Sequence, residues 1–439
     1  MGEGALALGV ARRRVASTAA AMVAIVTFSG AGEATSQAKT LEGGWKARIF
    51  KSKATLAVTY RPVAFADLPG WQQDDHLAAF KTFLKSCERV AANARDKGTD
   101  EKVPPPPAAL VAACDDAGRA SRDIKSKDGA RAFFEHRFTP SSVVHNGRAG
   151  VLTGYYEPLL NGSRTPHGPY QTPIYKRPPD LVNIVPDTQR AARPGMLTYV
   201  RKTDKGTEPY FTRAQIDEGA LKGKGLELLY LADSVDIFFL QIQGSGRVKL
   251  ADGSIVRVHY DGKNGYPYRS IGRYLTEKAI LAADKISMGA LIGWLKADAE
   301  RAKKVLWHNE SYVFFRELKS SDDLGAPLGA LRVPLTAGRS LALDSSYHAL
   351  GTPIYVSAPT LTHLSHSAPF HRLMIGQDVG SAIRGPERGD IYVGSGDAAG
   401  KLAGVTKHAG RFFVLVPKDA VAKTEAAPDK ATGEPKTPQ

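Results

Sequence analysis

Leu373-Met-Ile-Gly-Gln-Asp-Val-Gly-Ser-Ala-Ile-Arg-Gly-Pro-Glu-Arg-Gly-Asp-Ile-Tyr-Val-Gly-Ser-Gly-Asp-Ala-Ala-Gly400 sets Asp378, Asp390 and Asp397 among glycines and short β-like runs. Glycine lets a backbone turn tightly and approach a ligand closely. The apolar run before Gln377 and the run Ile391-Tyr-Val read as strands that hold the loop ends. Carboxylates on loops beside rigid strands are what polysaccharide cleavage requires. Taken alone, an Asp-Gly cluster of this kind is more simply a set of turns.

Around this stretch, between about Arg332 and Val416, the pattern consists of short strand-like runs. They are Leu331-Arg-Val, Ser340-Leu-Ala-Leu, Pro353-Ile-Tyr-Val, Arg372-Leu-Met-Ile, Ile391-Tyr-Val and Phe412-Phe-Val-Leu-Val. Many short strands divided by Gly, Pro, Asp and Ser predict a small closed barrel. Nearer the N-terminus, Leu77, Phe80, Phe83, Leu84, Cys87 and Val90 recur at helical spacing, so Asp74 to Lys97 is expected to be an amphipathic helix with a core-facing stripe. Ser287 is placed to cap a second helix running through Lys303, with Leu291, Ile292 and Leu295 on one face.

A chain of 439 residues, 43% hydrophobic and 23% charged, is long enough for two soluble domains. Its net charge of +15 points to an acidic partner, whether nucleic acid, anionic lipid or a wall polymer carrying carboxylates. No zinc-finger spacing, helix-turn-helix signature or aromatic ribonucleoprotein motif accompanies that charge, which argues against nucleic acid. Arg12-Arg-Arg14, an apolar stretch from Val15 to Phe28 and small residues through Ala34 read as a secretory signal over residues 1–34. An uncleaved anchor is the other reading, and the arginines also permit a twin-arginine route. Export would place the protein in the periplasm, associated with the outer membrane or free. There Cys87 and Cys114, divided by Pro104 to Pro107, are either a disulfide or two buried thiols. Neither lies near the signal, so no lipid-anchor cysteine is seen. Residues 419–439 hold almost no large apolar side chain and read as a disordered tail.

Three further segments precede the aspartates: Leu152-Thr-Gly-Tyr-Tyr-Glu-Pro158 with Pro173-Ile-Tyr-Lys-Arg-Pro178, Phe238-Phe-Leu-Gln-Ile-Gln-Gly-Ser-Gly246, and Tyr260-Asp-Gly-Lys-Asn-Gly-Tyr-Pro-Tyr-Arg-Ser-Ile-Gly272. In this order they resemble the membrane-bound lytic murein transglycosylase A family, whose C-terminal part is a three-aspartate domain. The resemblance covers roughly residues 140–418. It implies a mainly β protein with flanking helices, in which a double-psi β-barrel domain (40–158 and 321–418) carries an inserted second β-rich domain (159–320), with a groove between them. The insertion is expected to begin just after Glu157, where the chain turns Pro- and Gly-rich.

The implied activity is cleavage of the bond between muramic acid and glucosamine in peptidoglycan. Such an enzyme can work with one carboxyl, because the nucleophile is the 6-hydroxyl of the sugar being cleaved, whereas ordinary glycosidases use two. The carboxyl must begin protonated, which requires apolar burial or a second carboxylate nearby. Asp390 fits, standing at the head of Ile391-Tyr-Val beside Tyr392, and the family's catalytic aspartate falls on it. Asp378 is read either as a carboxylate that orients the loop or tunes Asp390, or as an Asx-turn; Asp397 is read as a turn residue. For substrate binding, Tyr155 and Tyr156 offer a stacking platform, though neighbours on a strand face opposite ways. Gln241 and Gln243 are expected on one face of a strand, with amides for hydroxyl and N-acetyl groups. Thr153, Ser245, Lys263 and Asn264 belong to the same motifs.

No DxDxDG spacing is present, and His363, His366 and His371 form no clear ligand set, so no metal is expected. No cofactor is expected either, and Gly244-Ser-Gly246 reads as close backbone approach to sugar rather than a nucleotide cradle. The expected partners are peptidoglycan strands and other wall enzymes, met by a monomer. A non-catalytic wall-binding protein and a hydrolase are the competing readings.

Overall fold

A computed structural model describes residues 58–95, 105–147, 149–185, 197–282, 286–319 and 325–420. The signal-like residues 1–34 and nearly all of the expected tail lie outside the described residues. The first strands are β1 (Thr59–Pro62), β2 (Phe138–Val144) and β3 (Val151–Glu157). Then come β4 (Leu159–Ser163), β5 (Thr172–Tyr175), β6 (Leu181–Asn183), β7 (Tyr199–Thr203), β8 (Gly206–Pro209), β9 (Glu227–Leu231), β10 (Ser245–Lys249), β11 (Ile255–Lys263) and β12 (Val313–Glu317). The last are β13 (Ser340–Leu343), β14 (Pro353–Ala358), β15 (Phe370–Val379), β16 (Arg388–Ser395), β17 (Lys407–Ala409) and β18 (Arg411–Pro417).

These form a nine-stranded sheet in the order β1-β2-β18-β14-β15-β13-β16-β3-β17, a six-stranded sheet β12-β11-β10-β4-β9-β5, and a three-stranded sheet β6-β7-β8. The first two divide at Pro158, between β3 and β4. The protein is thus mainly β with flanking helices, one β-rich part lying in sequence within another. In the nine-stranded sheet, β13 runs parallel to β15 and β16 parallel to β3, while β13 and β16 are antiparallel. Among the described residues the order ends at β1 and β17 with no pair joining those edges.

One face of this sheet buries Leu152, Leu341, Leu343, Ile354, Val356, Ile391 and Phe412 together. Against another part pack α1 (His76–Arg95), α2 (Ala108–Ala120) and α3 (Lys127–Arg137). Phe80, Phe83, Val90 and Cys87 form the buried stripe of α1, as the helical spacing predicts. A buried ion pair ties the segment before α1 to the sheet, Arg339 donating twice to Asp74 at 2.8 Å while Leu373 N donates to the same carboxylate at 2.7 Å. Cys87 and Cys114 form a disulfide that joins α1 to α2.

Two local expectations need correction. Leu331-Arg-Val is a turn, not a strand: Arg332 takes a left-handed φ of 60° and its N–H donates to Gly329 O at 2.8 Å. The helix after Ser287 stops at Lys296, and a second runs Ala299–Leu306. The break falls at Asp298, whose side chain caps the second helix by accepting from Arg301 N at 2.9 Å. Among the described residues no helix is long and apolar enough to cross a membrane.

The disulfide closes a loop of sequence separation 27. Its removal in the double variant Cys87→Ala/Cys114→Ala is expected to lower unfolding free energy by about 3 kcal/mol. Urea melts of oxidised, reduced and variant protein check this; superimposable curves would contradict it.

Candidate active site

Four strands bring the aspartates together. Asp378 on β15 and Asp390 on β16 both pair with Ala342 on the intervening β13, and Asp390 pairs in turn with Thr153 on β3. Residues opposite one another in a ladder share a face, so the two carboxyls project together with only a methyl group between them. Two strand spacings put their Cα atoms roughly 10 Å apart. Tyr155, Leu335, Ala342, Ile383 and Tyr392 cluster as the buried apolar floor. Tyr155 and Tyr392, also opposite in the ladder, have ring centroids 5.4 Å apart.

The two carboxyls differ in their partners. Asp378 Oδ1 accepts from Ala330 N and Val379 N, both at 2.9 Å, and its Oδ2 accepts from the Tyr155 hydroxyl at 3.0 Å. Asp390 Oδ1 accepts from Thr153 Oγ1 at 2.5 Å. Thr153 Oγ1 itself accepts from Arg388 Nη2 at 2.8 Å, which commits the hydroxyl hydrogen to Asp390. No described residue donates to Asp390 Oδ2. Each carboxyl keeps some accessible surface, yet protein surrounds it closely, and lost hydration dominates its titration. Burial pushes Asp390 up to about 6 from its ordinary 3.8, against the opposing pull of the Arg388 charge and the Thr153 hydrogen bond. Burial likewise pushes Asp378 up to about 6, opposed by its three donors and reinforced by the charge of Asp390.

The strand β3 explains the motif Thr153-Gly-Tyr-Tyr-Glu157 through its alternation. Thr153, Tyr155 and Glu157 face the site. Tyr155 is buried, and burial followed by the Asp378 charge raises its phenol well above the ordinary value. Glu157, fully buried, pairs with Arg257 Nε at 2.7 Å and Arg247 Nε at 3.3 Å, both from the six-stranded sheet. On the opposite face, the helix Gly396–Val405 packs so closely that a Cβ on Gly154 would lie 2.9 Å from Ala403 Cα, and one on Gly400 would lie 2.7 Å from the Tyr156 ring. The two tyrosines therefore part ways, as neighbours on a strand must.

Gln241 and Gln243 are not on a strand. Ser234–Gln243 is a helix, started by the Asp233 side chain accepting from Val235 N at 2.7 Å and ended at Gly244 with φ of 78°. A spacing of two turns the side chains about 200° apart on a helix. Gln241 is buried and accepts from Arg213 at 2.5 Å, whereas Gln243 accepts from Tyr156 N at 3.1 Å and so braces β3. Ser245 is the buried first residue of β10. A Cβ on Gly246 would overlap Leu240 and crowd Pro158, so this glycine serves packing and not approach to sugar. Asn264 is fully buried, donating to Phe211 O and Glu310 O and accepting from Tyr312 N. Lys263 reaches the site's rim, with Nζ 3.5 Å from Ser381 Oγ. Asp397 lies in the first turn of the helix Gly396–Val405 rather than in a free turn. Arg388, which orients Thr153, was not singled out by the sequence; its place two residues before Asp390 on one strand was the available signal.

The MltA specific insert domain family matches residues 151–316, and the 3D domain family matches 339–416. A crystal structure of a membrane-bound lytic murein transglycosylase from Agrobacterium tumefaciens is 38% identical, with a TM-score of 0.74 over 83% of this chain and 99% of that one. The chain belongs to the membrane-bound lytic murein transglycosylase A family. The membrane-bound lytic murein transglycosylase A of Escherichia coli K12 is 35% identical over 60% of this chain, and the match spans 65% of that relative's length. A crystal structure of E. coli MltA with bound chitohexaose aligns at 26% identity with a TM-score of 0.57, covering 85% of this chain and 98% of that one.

The raised titration of Asp390 sets a stability prediction. The folded state holds this proton more tightly than the unfolded chain does, so the stability it contributes is full below about pH 4 and is lost as pH rises through about 6. Asp390→Asn keeps an acceptor for Thr153 and removes the buried charge. It is expected to stabilise the fold by about 1–2 kcal/mol near pH 8, a gain that disappears near pH 4. Denaturant titrations at both values decide it.

Proposed function

We propose that this protein is a periplasmic lytic transglycosylase that cleaves the β-1,4 bond between N-acetylmuramic acid and N-acetylglucosamine of peptidoglycan, leaving 1,6-anhydromuramic ends. The observation that supports the reading is the unequal treatment of two carboxyls on one face. Asp378 has both oxygens engaged by donors, while Asp390, raised to about 6, keeps Oδ2 open. A protonated carboxyl with an unengaged oxygen is suited to donate to a leaving group.

In this mechanism Asp390 gives its proton to the glycosidic oxygen as the bond from that oxygen to C1 of the muramic sugar breaks. The C6 hydroxyl of the same sugar attacks C1, and its proton passes to the Asp390 carboxylate, which restores the acid. No water is consumed. Asp378 acts as a fixed carboxylate that holds Tyr155 and the Ala330 loop in place. Thr153 orients Asp390, Lys263 borders the substrate, and Tyr155 forms the apolar floor under a sugar ring. The E. coli neighbour holds chitohexaose, a β-1,4-linked amino-sugar chain, which favours a glycan-strand substrate here.

Mass spectrometry of products from purified glycan strands is expected to show muropeptides lighter by one water than hydrolysis products. Reducing ends would instead identify a hydrolase, and binding without cleavage a wall-binding protein. Asp390→Asn is expected to lose at least about 10²–10⁴-fold in kcat while remaining folded. For the wild type, kcat/KM should fall as pH rises above about 6, where the acid loses its proton. A flat profile from pH 5 to 8 would remove Asp390 from the acid role.

A further inference from the structure

The ladder that carries the aspartates does not end at Thr153. On the edge strand β17, Lys407 pairs directly with Thr153, and Ala409 pairs with Val151. Val151 in turn pairs with Arg388 on β16. Antiparallel and parallel partners alike share a face, so Lys407, Ala409, Val151 and Arg388 all lie on the face that bears Asp390 and Thr153. Lys407, Ala409 and Val151 are exposed, which makes this part of the face an open shelf continuous with the catalytic row. Lys407 forms no salt bridge among the described residues, and its Cα stands roughly 10 Å from that of Asp390, two strand spacings away. The shelf holds two cations and no carboxylate other than Asp390 itself.

We propose that this shelf is a subsite for the carboxylates of the acidic stem peptide borne by the muramic sugar, with Lys407 as the charge that selects stem-bearing strands. The inference rests on the glycan-cleaving reading above. The muramic sugar whose C1 faces Asp390 carries its peptide through the lactyl ether on C3 of the same ring, and the strand next to Thr153 on that face presents the exposed Lys407. Arg388 is half-buried and already donates to Thr153, so it fixes the row while Lys407 is left to meet the ligand. Exposed charge pairs are weak, so the subsite acts as a preference and not as the main source of affinity.

The test compares kcat/KM on intact glycan strands with that on strands whose stem peptides have been removed by an amidase. Lys407→Gln is expected to lower the ratio of intact to stripped by roughly 2- to 5-fold, through KM, and Lys407→Glu to lower it further. Lys401→Gln, an exposed lysine on the helix behind the sheet, controls for net charge and should leave the ratio unchanged. An unaltered ratio in both Lys407 variants, or an equal fall in Lys401→Gln, overturns the subsite. Failure of wild-type protein to cleave either strand would overturn the glycan-cleaving reading instead. In that case calorimetry with a soluble muramyl peptide decides the shelf separately: weaker binding by Lys407→Glu supports it, and equal binding refutes it.

Discussion

Thr153 and Tyr155, two residues apart on one face of β3, hold one carboxyl each, and the arrangement of the site follows from that pair of hydrogen bonds. A strand repeats its facing every second residue, so a single backbone segment can address Asp390 directly opposite and Asp378 two strands farther on. The same periodicity puts Glu157 on that face at the end of the strand, where two arginines of the six-stranded sheet receive it. Shifting β3 by one residue would reverse all three side chains at once, so the register of this strand is constrained from both sheets.

Placing two carboxyls beside an apolar floor is unfavourable, and the surrounding structure resists the relaxation that would relieve it. Gln377, next to Asp378, is fully buried; its amide donates to Thr82 O at 3.2 Å and Ser86 Oγ at 2.8 Å on α1, and its oxygen accepts from Ser340 Oγ at 2.5 Å. The Asp74–Arg339 pair anchors the residue just before β13. Thus α1, held to α2 by the disulfide beside Ser86, braces the two strands that carry Asp378 and Ala342. Buried polar networks of this kind fix geometry when every member is satisfied, and geometry is what a proton donor needs.

Much of this was legible in the sequence, and the reason differs from element to element. The α1 stripe is readable because its apolar residues recur at 3.6-residue spacing from Leu77 to Val90, and β16 because Gly389 and Gly394 bracket Asp390-Ile-Tyr-Val. Gln241 and Gln243 read as strand residues, and not as the end of the helix Ser234–Gln243, because a short buried run such as Phe238-Phe-Leu has no polar face to show a period. The cap at Asp233 and the terminating Gly244 were the better signals there. Asn264 reads as a sugar ligand because it stands in a Gly-rich motif with a lysine; the structure turns its amide inward to three backbone groups that no local pattern specifies. The partnership of Thr153, Arg388 and Asp390 depends on strand order, which periodicity does not encode.

The joint at Glu157 shows how the two sheets are kept in relation. A carboxylate with no exposed surface loses nearly all of its hydration, and two guanidinium groups are needed to compensate. Replacing such a cluster with well-packed apolar residues can be neutral for stability, so its value here lies in direction. Glu157 is followed at once by Pro158, which cannot donate a backbone hydrogen bond and restricts the preceding residue to extended geometry. Arg247 N donates to Pro158 O at 2.8 Å, continuing the chain into β4 alongside β10. Charge pairing at Glu157 and backbone pairing at Pro158 together set the direction in which β4 leaves β3. Because Ser395 Oγ also donates to Glu157 at 2.8 Å and lies 3.0 Å from the Tyr392 hydroxyl, the same joint reaches the end of the strand that carries Asp390. The aspartates and the junction between the sheets are therefore parts of one hydrogen-bonded assembly.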